Sequence, residues 1–83
     1  MLGQRIALLR RELGLSQAEL ARRLGISASA VGMYEQERRE PAAQILVNLA
    51  SILGVSTDYL LTGQPGPTEE QTIARSVIVA IAP

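Results

Sequence analysis

Eighty-three residues fit one small domain, and a chain this short buries only about 60% of its unfolded surface, so its core is modest. No Cys, His, Lys, Phe or Trp occurs, which removes disulfides, thiol catalysis and the usual zinc ligand sets and leaves Arg as the only basic residue type. Eight Arg balance eight acids, with no polybasic patch in residues 1–63 (seven Arg, six acids) or after them, so overall charge neither supports nor excludes nucleic-acid binding.

The first element runs from Leu2 to about Leu13. Leu2, Ile6, Leu9 and Leu13 are spaced four, three and four apart and share one helical stripe. Arg5, Arg11 and Glu12 fall elsewhere on that helix, Gly14 ends it and Leu15 returns to the core. Arg10 borders the stripe, and two readings stay open for it. Either its guanidinium is partly buried against a carboxylate, with Glu35 as the candidate, or it is solvated.

Ser16 to Glu35 is the organising stretch, SQAELARRLGISASAVGMYE. Ser16 and Glu19 have the spacing of a capping box. Ala18, Leu20, Ala21 and Leu24 then recur at helical intervals. Gly25 stands where a helix ends in the left-handed region, and Ile26 follows as a buried plug. Ser27 caps a third helix whose inner face is Ala30, Val31 and Tyr34. Two short helices joined by about three residues around a Gly match a helix-turn-helix unit.

Glu37 falls near the end of that third helix, and Pro41 stops any helix before it. A fourth helix is expected from near Ala42 to Leu53, with Ala43, Leu46, Leu49, Ala50 and Leu53 inward. Gly54 caps it and Val55 plugs the turn. Ser56 caps a fifth helix with Asp58 in its first turn, Leu60 and Leu61 close the core, and Gly63 ends it. LGIS at 24–27 and LGVS at 53–56 repeat one local device: a helix end, a plug and a cap. These five helices form one bundle over residues 1–63.

Residues 64–67 read as a Pro/Gly linker. In residues 68–83, Thr68 and Gln71 make a capping-box pattern, and Ile73, Val77 and Ile81 are four apart. Val77-Ile78-Val79 is β-branched, yet a helix is the favoured reading. Ile73, Val77, Ile78 and Ile81 give this segment more apolar surface than a tail needs, so it is a candidate self-association element. Arg5, Arg10 and Arg11 interrupt the N-terminal apolar residues too early for a signal peptide. The apolar run at Val77–Pro83 is far below the roughly 20 residues of a membrane-spanning helix. A cytoplasmic location, no membrane partner, and no metal or cofactor are expected.

LSQAELARRLGIS, the Tyr34-Glu35 pair, RREP and LASILGVSTDYLL together resemble the Cro/repressor-type helix-turn-helix family, the XRE-like transcriptional regulators. The likeness covers Leu2 to Thr62. It implies an all-α, five-helix, lambda-repressor-like bundle, usually dimeric, that places its third helix in the DNA major groove. It also implies an ion pair between Arg10 and Glu35, which favours the clamp over the solvated reading.

The resemblance assigns Gln17 to a backbone phosphate or to buttressing the third helix. Ser27 caps that helix and can also meet a phosphate, and Arg38 and Arg39 sit in a loop that approaches the backbone. Arg22 and Arg23 read as a solvated face. The resemblance implies that the groove-facing positions are Ala28, Ser29, Gly32 and Met33, with Gln36 expected to reach in from the far end. Family members often carry Gln, Asn, Arg or Lys on this face, whereas these four residues offer neither the Arg–guanine nor the Gln–adenine pairing. Ala28 and Met33 suit thymine methyl groups. Gly32 costs about 1 kcal/mol relative to Ala inside a helix, which suggests that a neighbouring helix or DNA needs its space. Glu37 stands where Gly or Asn is common, and it brings negative charge towards the expected phosphates.

Two functional classes follow. One is a dimeric, sequence-specific DNA-binding regulator, a repressor by preference, inserting residues 28–36 into successive major grooves about 34 Å apart. The other is a protein-interaction module or antitoxin-like adaptor with weak DNA binding, suggested by zero net charge and the apolar outer face. The resemblance favours the first. An enzyme is a distant third, since no His, Cys or carboxylate cluster supplies a nucleophile and base.

Overall fold

A computed structural model describes residues 1–64. Its helices are α1 (Leu2–Glu12), α2 (Gln17–Leu24), α3 (Ala28–Glu35), α4 (Ala43–Leu53) and α5 (Thr57–Thr62). No strand occurs among the described residues, and none of their helices is long and apolar enough to cross a membrane.

Each boundary has a local cause. Ser16 Oγ accepts from the Glu19 amide at 3.0 Å while Glu19 Oε1 accepts from the Ser16 amide at 3.3 Å, completing the capping box. Ser27 and Ser56 accept likewise from the amides of Ala30 (3.1 Å) and Tyr59 (3.0 Å). Gly25 and Gly54 adopt φ of 72° and 73°, a region costly for any residue with a Cβ. That turn lets the Ile26 amide reach Ala21 O and the Val55 amide reach Ala50 O, both at 3.0 Å. The repeated LGIS and LGVS segments are thus the same helix stop made twice.

The helices enclose one core. Ile6 of α1, Leu20 of α2, Val31 of α3, Leu49 of α4 and Leu60 of α5 are fully buried. Each such side chain contributes roughly 1.5–3 kcal/mol relative to exposure. α3 packs on α1 and α2, and α5 packs on α1 and α4.

Several expectations at the edges need correction. Leu13 is 52% exposed, because α1 ends at Glu12 and the chain turns there so that Leu15 enters the core instead. Leu61 is 53% exposed, and Leu60 alone closes α5. Ala18 and Ala43 are exposed, Leu46 is half-buried, and Ile26 and Val55 pack against the core without being fully covered. Ile45 and Ile52 join them at its margin. Arg5 is not merely a surface residue of α1: its Nη1 donates to Leu60 O at 3.0 Å, placing a cation at the C-terminal end of α5. The proposed tail positions Ile73, Val77, Ile78 and Ile81 lie outside the described residues.

Candidate nucleic-acid interface

The outer face of α3 is held by a polar knot on its inner end. Arg10 Nε donates to Glu35 Oε2 at 2.7 Å and Arg10 Nη2 to Glu35 Oε1 at 3.1 Å, a bidentate pair with both side chains buried. The remaining Nη1 donates to Leu15 O at 2.8 Å, and Gln17 Nε2 donates to Glu35 Oε1 at 3.0 Å. One carboxylate therefore ties α1, the start of α2 and the end of α3. No buried side-chain nitrogen or oxygen among the described residues lacks a partner.

The electrostatics follow from those bonds. Burial pushes the Glu35 carboxyl up, but hydrogen bonds from Arg10 and Gln17, with the charges of Arg10 and Arg11, more than offset it and hold the group below its ordinary value. The hydrogen bond to Glu35 raises the Arg10 guanidinium, against the lowering effect of burial. The Ser16 hydroxyl and amide lower the Glu19 carboxyl. Glu35 stays ionised and acts as a fixed strut.

α1 and α3 also meet with no space to spare. A Cβ on Gly3 would lie 2.5 Å from Tyr34 O and 2.6 Å from Glu35 O. The Gly3 amide donates to the Glu37 carboxylate, and α1 has no side-chain cap of its own. Glu37 sits at φ 60°, the one non-Gly residue of positive φ among those described. Its amide donates to Tyr34 O at 3.2 Å and the Arg38 amide to Met33 O at 2.9 Å, so Glu37 ends α3 as Gly25 ends α2. The carboxylate is thereby spent on α1. Sequence reasoning missed both Gly3 and this bond, because a contact between residues 34 apart leaves no local pattern.

The outer face of α3 opens into a shallow depression lined by Gln17, Ala28, Ser29, Gly32, Met33, Gln36 and Arg38. It contains no carboxylate, and Met33 is 41% exposed within it. Ser27 lies just ahead, on the cap of α3. Arg39 does not join this group. It lines a separate groove with Met1, Leu2, Arg5, Glu37, Glu40, Pro41, Leu46 and Leu61. A Cβ on Gly32 would meet only the Gln17 amide, at 3.7–3.8 Å, an ordinary contact, so no neighbouring helix requires that glycine. Among the described residues no group of His, Cys, Asp and Glu is placed to hold a metal ion.

The helix-turn-helix family profile matches residues 6–60, about two thirds of the chain, and its span contains the knot, the capped turn and the depression. The chain belongs to the helix-turn-helix family. The SPbeta prophage-derived HTH-type transcriptional regulator YonR of Bacillus subtilis is 44% identical over 63 residues, which cover 76% of this chain and 58% of the relative. The chain thus spans little more than half of that protein. Among solved structures, the P22 c2 repressor in complex with a synthetic operator has a TM-score of 0.75 at 36% identity, covering 77% of this chain and 97% of that one. The biofilm regulator SinR in complex with DNA has a TM-score of 0.69 at 37% identity, covering 74% and 98%. Within this helix-turn-helix domain, α2 and α3 are the paired helices, and the carboxylate-free depression is the outer surface of the second.

Proposed function

We propose that the chain is a sequence-specific DNA-binding transcriptional regulator, acting as a repressor in the cytoplasm, that docks α3 in the major groove of duplex DNA as a homodimer. The carrying observation is the depression along α3, which gathers Gln17, Ala28, Ser29, Gly32, Met33, Gln36 and Arg38 with no carboxylate among them. The operator and DNA complexes of the P22 c2 repressor and SinR support the same reading.

In this reading Arg38 and the Ser27 end of α3 set register on phosphates, and Gln17 does so while buttressing Glu35. Arg39 reaches a phosphate only from the loop's opposite side. Ala28 and Met33 pack on thymine methyl groups, Ser29 and Gln36 supply hydrogen bonds, and DNA shape supplies the rest of the specificity. Residues 1–63 are the DNA-binding domain, 64–67 a linker, and 68–83 a self-association element using Ile73, Val77, Ile78 and Ile81.

Genomic selection of bound DNA, followed by a salt titration, tests this. The expected outcome is an enriched sequence of two half-sites about one helical turn apart, with affinity falling steeply as salt rises. No enriched sequence, together with no retention on DNA at low salt, would overturn it.

A further inference from the structure

Zero net charge is the main physical objection to a DNA-binding role, and the distribution of charge answers it. A second depression adjoins the first. It is lined by Gln4, Ala7, Leu8 and Arg11 of α1 with Gln17, Glu35 and Gln36, so Gln17 and Gln36 border both. Gln4, Ala7, Leu8 and Arg11 follow the i, i+3, i+4, i+7 pattern and form one stripe of α1, in which Gln4, Leu8 and Arg11 are exposed and Ala7 is half-buried. Across the two depressions the only acid is Glu35, and its charge is matched by Arg10 at 2.7 Å. Arg11 and Arg38 have no carboxylate within ion-pair distance among the described residues. Glu37 and Glu40 line the separate groove with Arg39, and Glu12, Glu19 and Asp58 line none of these surfaces.

We infer that Arg11 and Gln4 extend the interface onto α1 as a phosphate-binding subsite, gripping the DNA backbone beyond Gln17. This rests on the DNA-binding reading above. The guanidinium of Arg11 matches phosphate oxygens in pairs, and the Gln4 amide adds a neutral donor beside it. Arg10 and Arg11 thus divide one dipeptide between two tasks. The first faces inward and fixes Glu35, and the second faces outward on the adjoining surface. Leu8, 54% exposed between Gln4 and Arg11, is small enough a patch to lie against the sugar backbone.

The test measures affinity of the full chain across a salt series, for the selected duplex and for a mixed-sequence duplex of equal length. Arg11→Gln should make the slope of log K against log salt shallower by about 0.9, as for one lost phosphate contact. The loss should be equal on both duplexes, because a phosphate contact carries no base preference. Arg11→Lys should restore the slope. Arg23→Gln, on the outer side of α2, should leave it unchanged. A slope for Arg11→Gln equal to that of the parent overturns the subsite alone, as does an equal loss in Arg23→Gln. A parent chain that retains neither duplex overturns the DNA-binding reading and the subsite together.

Discussion

The two faces of α3 are built on opposite principles. Its inner end is over-determined: Glu35 accepts from Arg10 twice and from Gln17 once, and Gly3 brings the α1 backbone against Tyr34 and Glu35. Its outer strip of Ala28, Ser29, Gly32 and Met33 makes almost no side-chain bond within the protein. Changing the first face should therefore move stability, and changing the second should move recognition. A buried polar knot is costly to break, whereas an exposed strip can vary with little effect on the fold.

The largest expected effect comes from breaking the knot. Glu35→Ala leaves the Arg10 guanidinium buried with only Leu15 O as a partner and should cost about 3–5 kcal/mol in urea unfolding. Arg10→Met combined with Glu35→Leu removes both charges and should recover most of that loss. A single variant that matches the parent in stability would show that the pair is not structural.

The same carboxylate should set the acid limb. Its pKa is held down in the folded chain, so at acid pH the unfolded chain binds more protons and stability rises with pH. The Glu35 contribution is complete above the unfolded value of about 4.3 and is lost as pH falls below it through the folded value. Denaturation midpoints between pH 6 and pH 2.5 should fall more steeply in the parent than in Glu35→Gln. Parallel curves would remove Glu35 from the account.

Gly3 comes next. Gly3→Ala would place a Cβ against two backbone carbonyls that have no rotamer to escape into, and overpacking of this kind costs about 1–3 kcal/mol. Helix propensity works in the opposite direction by at most about 1 kcal/mol. Thermal unfolding should show a net loss, and a net gain would mean that α1 and α3 separate easily.

How legible each face was from sequence follows from the range of the interactions that make it. The helix stops at Gly25 and Gly54 and the caps at Ser16, Ser27 and Ser56 are settled within six residues, so pattern alone located them. Burial at the ends of α1 and α5 was not legible, since Leu13 and Leu61 continue an apolar pattern that the chain leaves by turning. The Gly3–Glu37 bond and the Arg5–Leu60 bond span 34 and 55 residues and needed the fold itself. Glu37 read as a misplaced charge at the DNA surface, yet its carboxylate caps α1 and its backbone ends α3. Arg11 read as plain surface because periodicity places it off the core stripe without saying what lies beside it. The outer strip of α3 stays hardest to read, because side chains that pack on nothing within the protein leave no trace in folding patterns.

Gly32 gives the smallest expected effect and the sharpest division between the two faces. Gly3 and Gly32 are both helical glycines touching the same region, yet only Gly3 is crowded by backbone. A Cβ at Gly32 meets the Gln17 amide at 3.7–3.8 Å, so Gly32→Ala should fit without strain. It should raise stability by up to about 1 kcal/mol through helix propensity. If a base edge or sugar approaches α3 at this point, the same variant should bind the selected duplex more weakly while melting at a higher temperature. Opposite signs in the two measurements would assign the glycine to DNA approach. A gain in stability with unchanged affinity would instead place the duplex nearer the Gln36 and Arg38 edge, leaving Gly32 unexplained by either face.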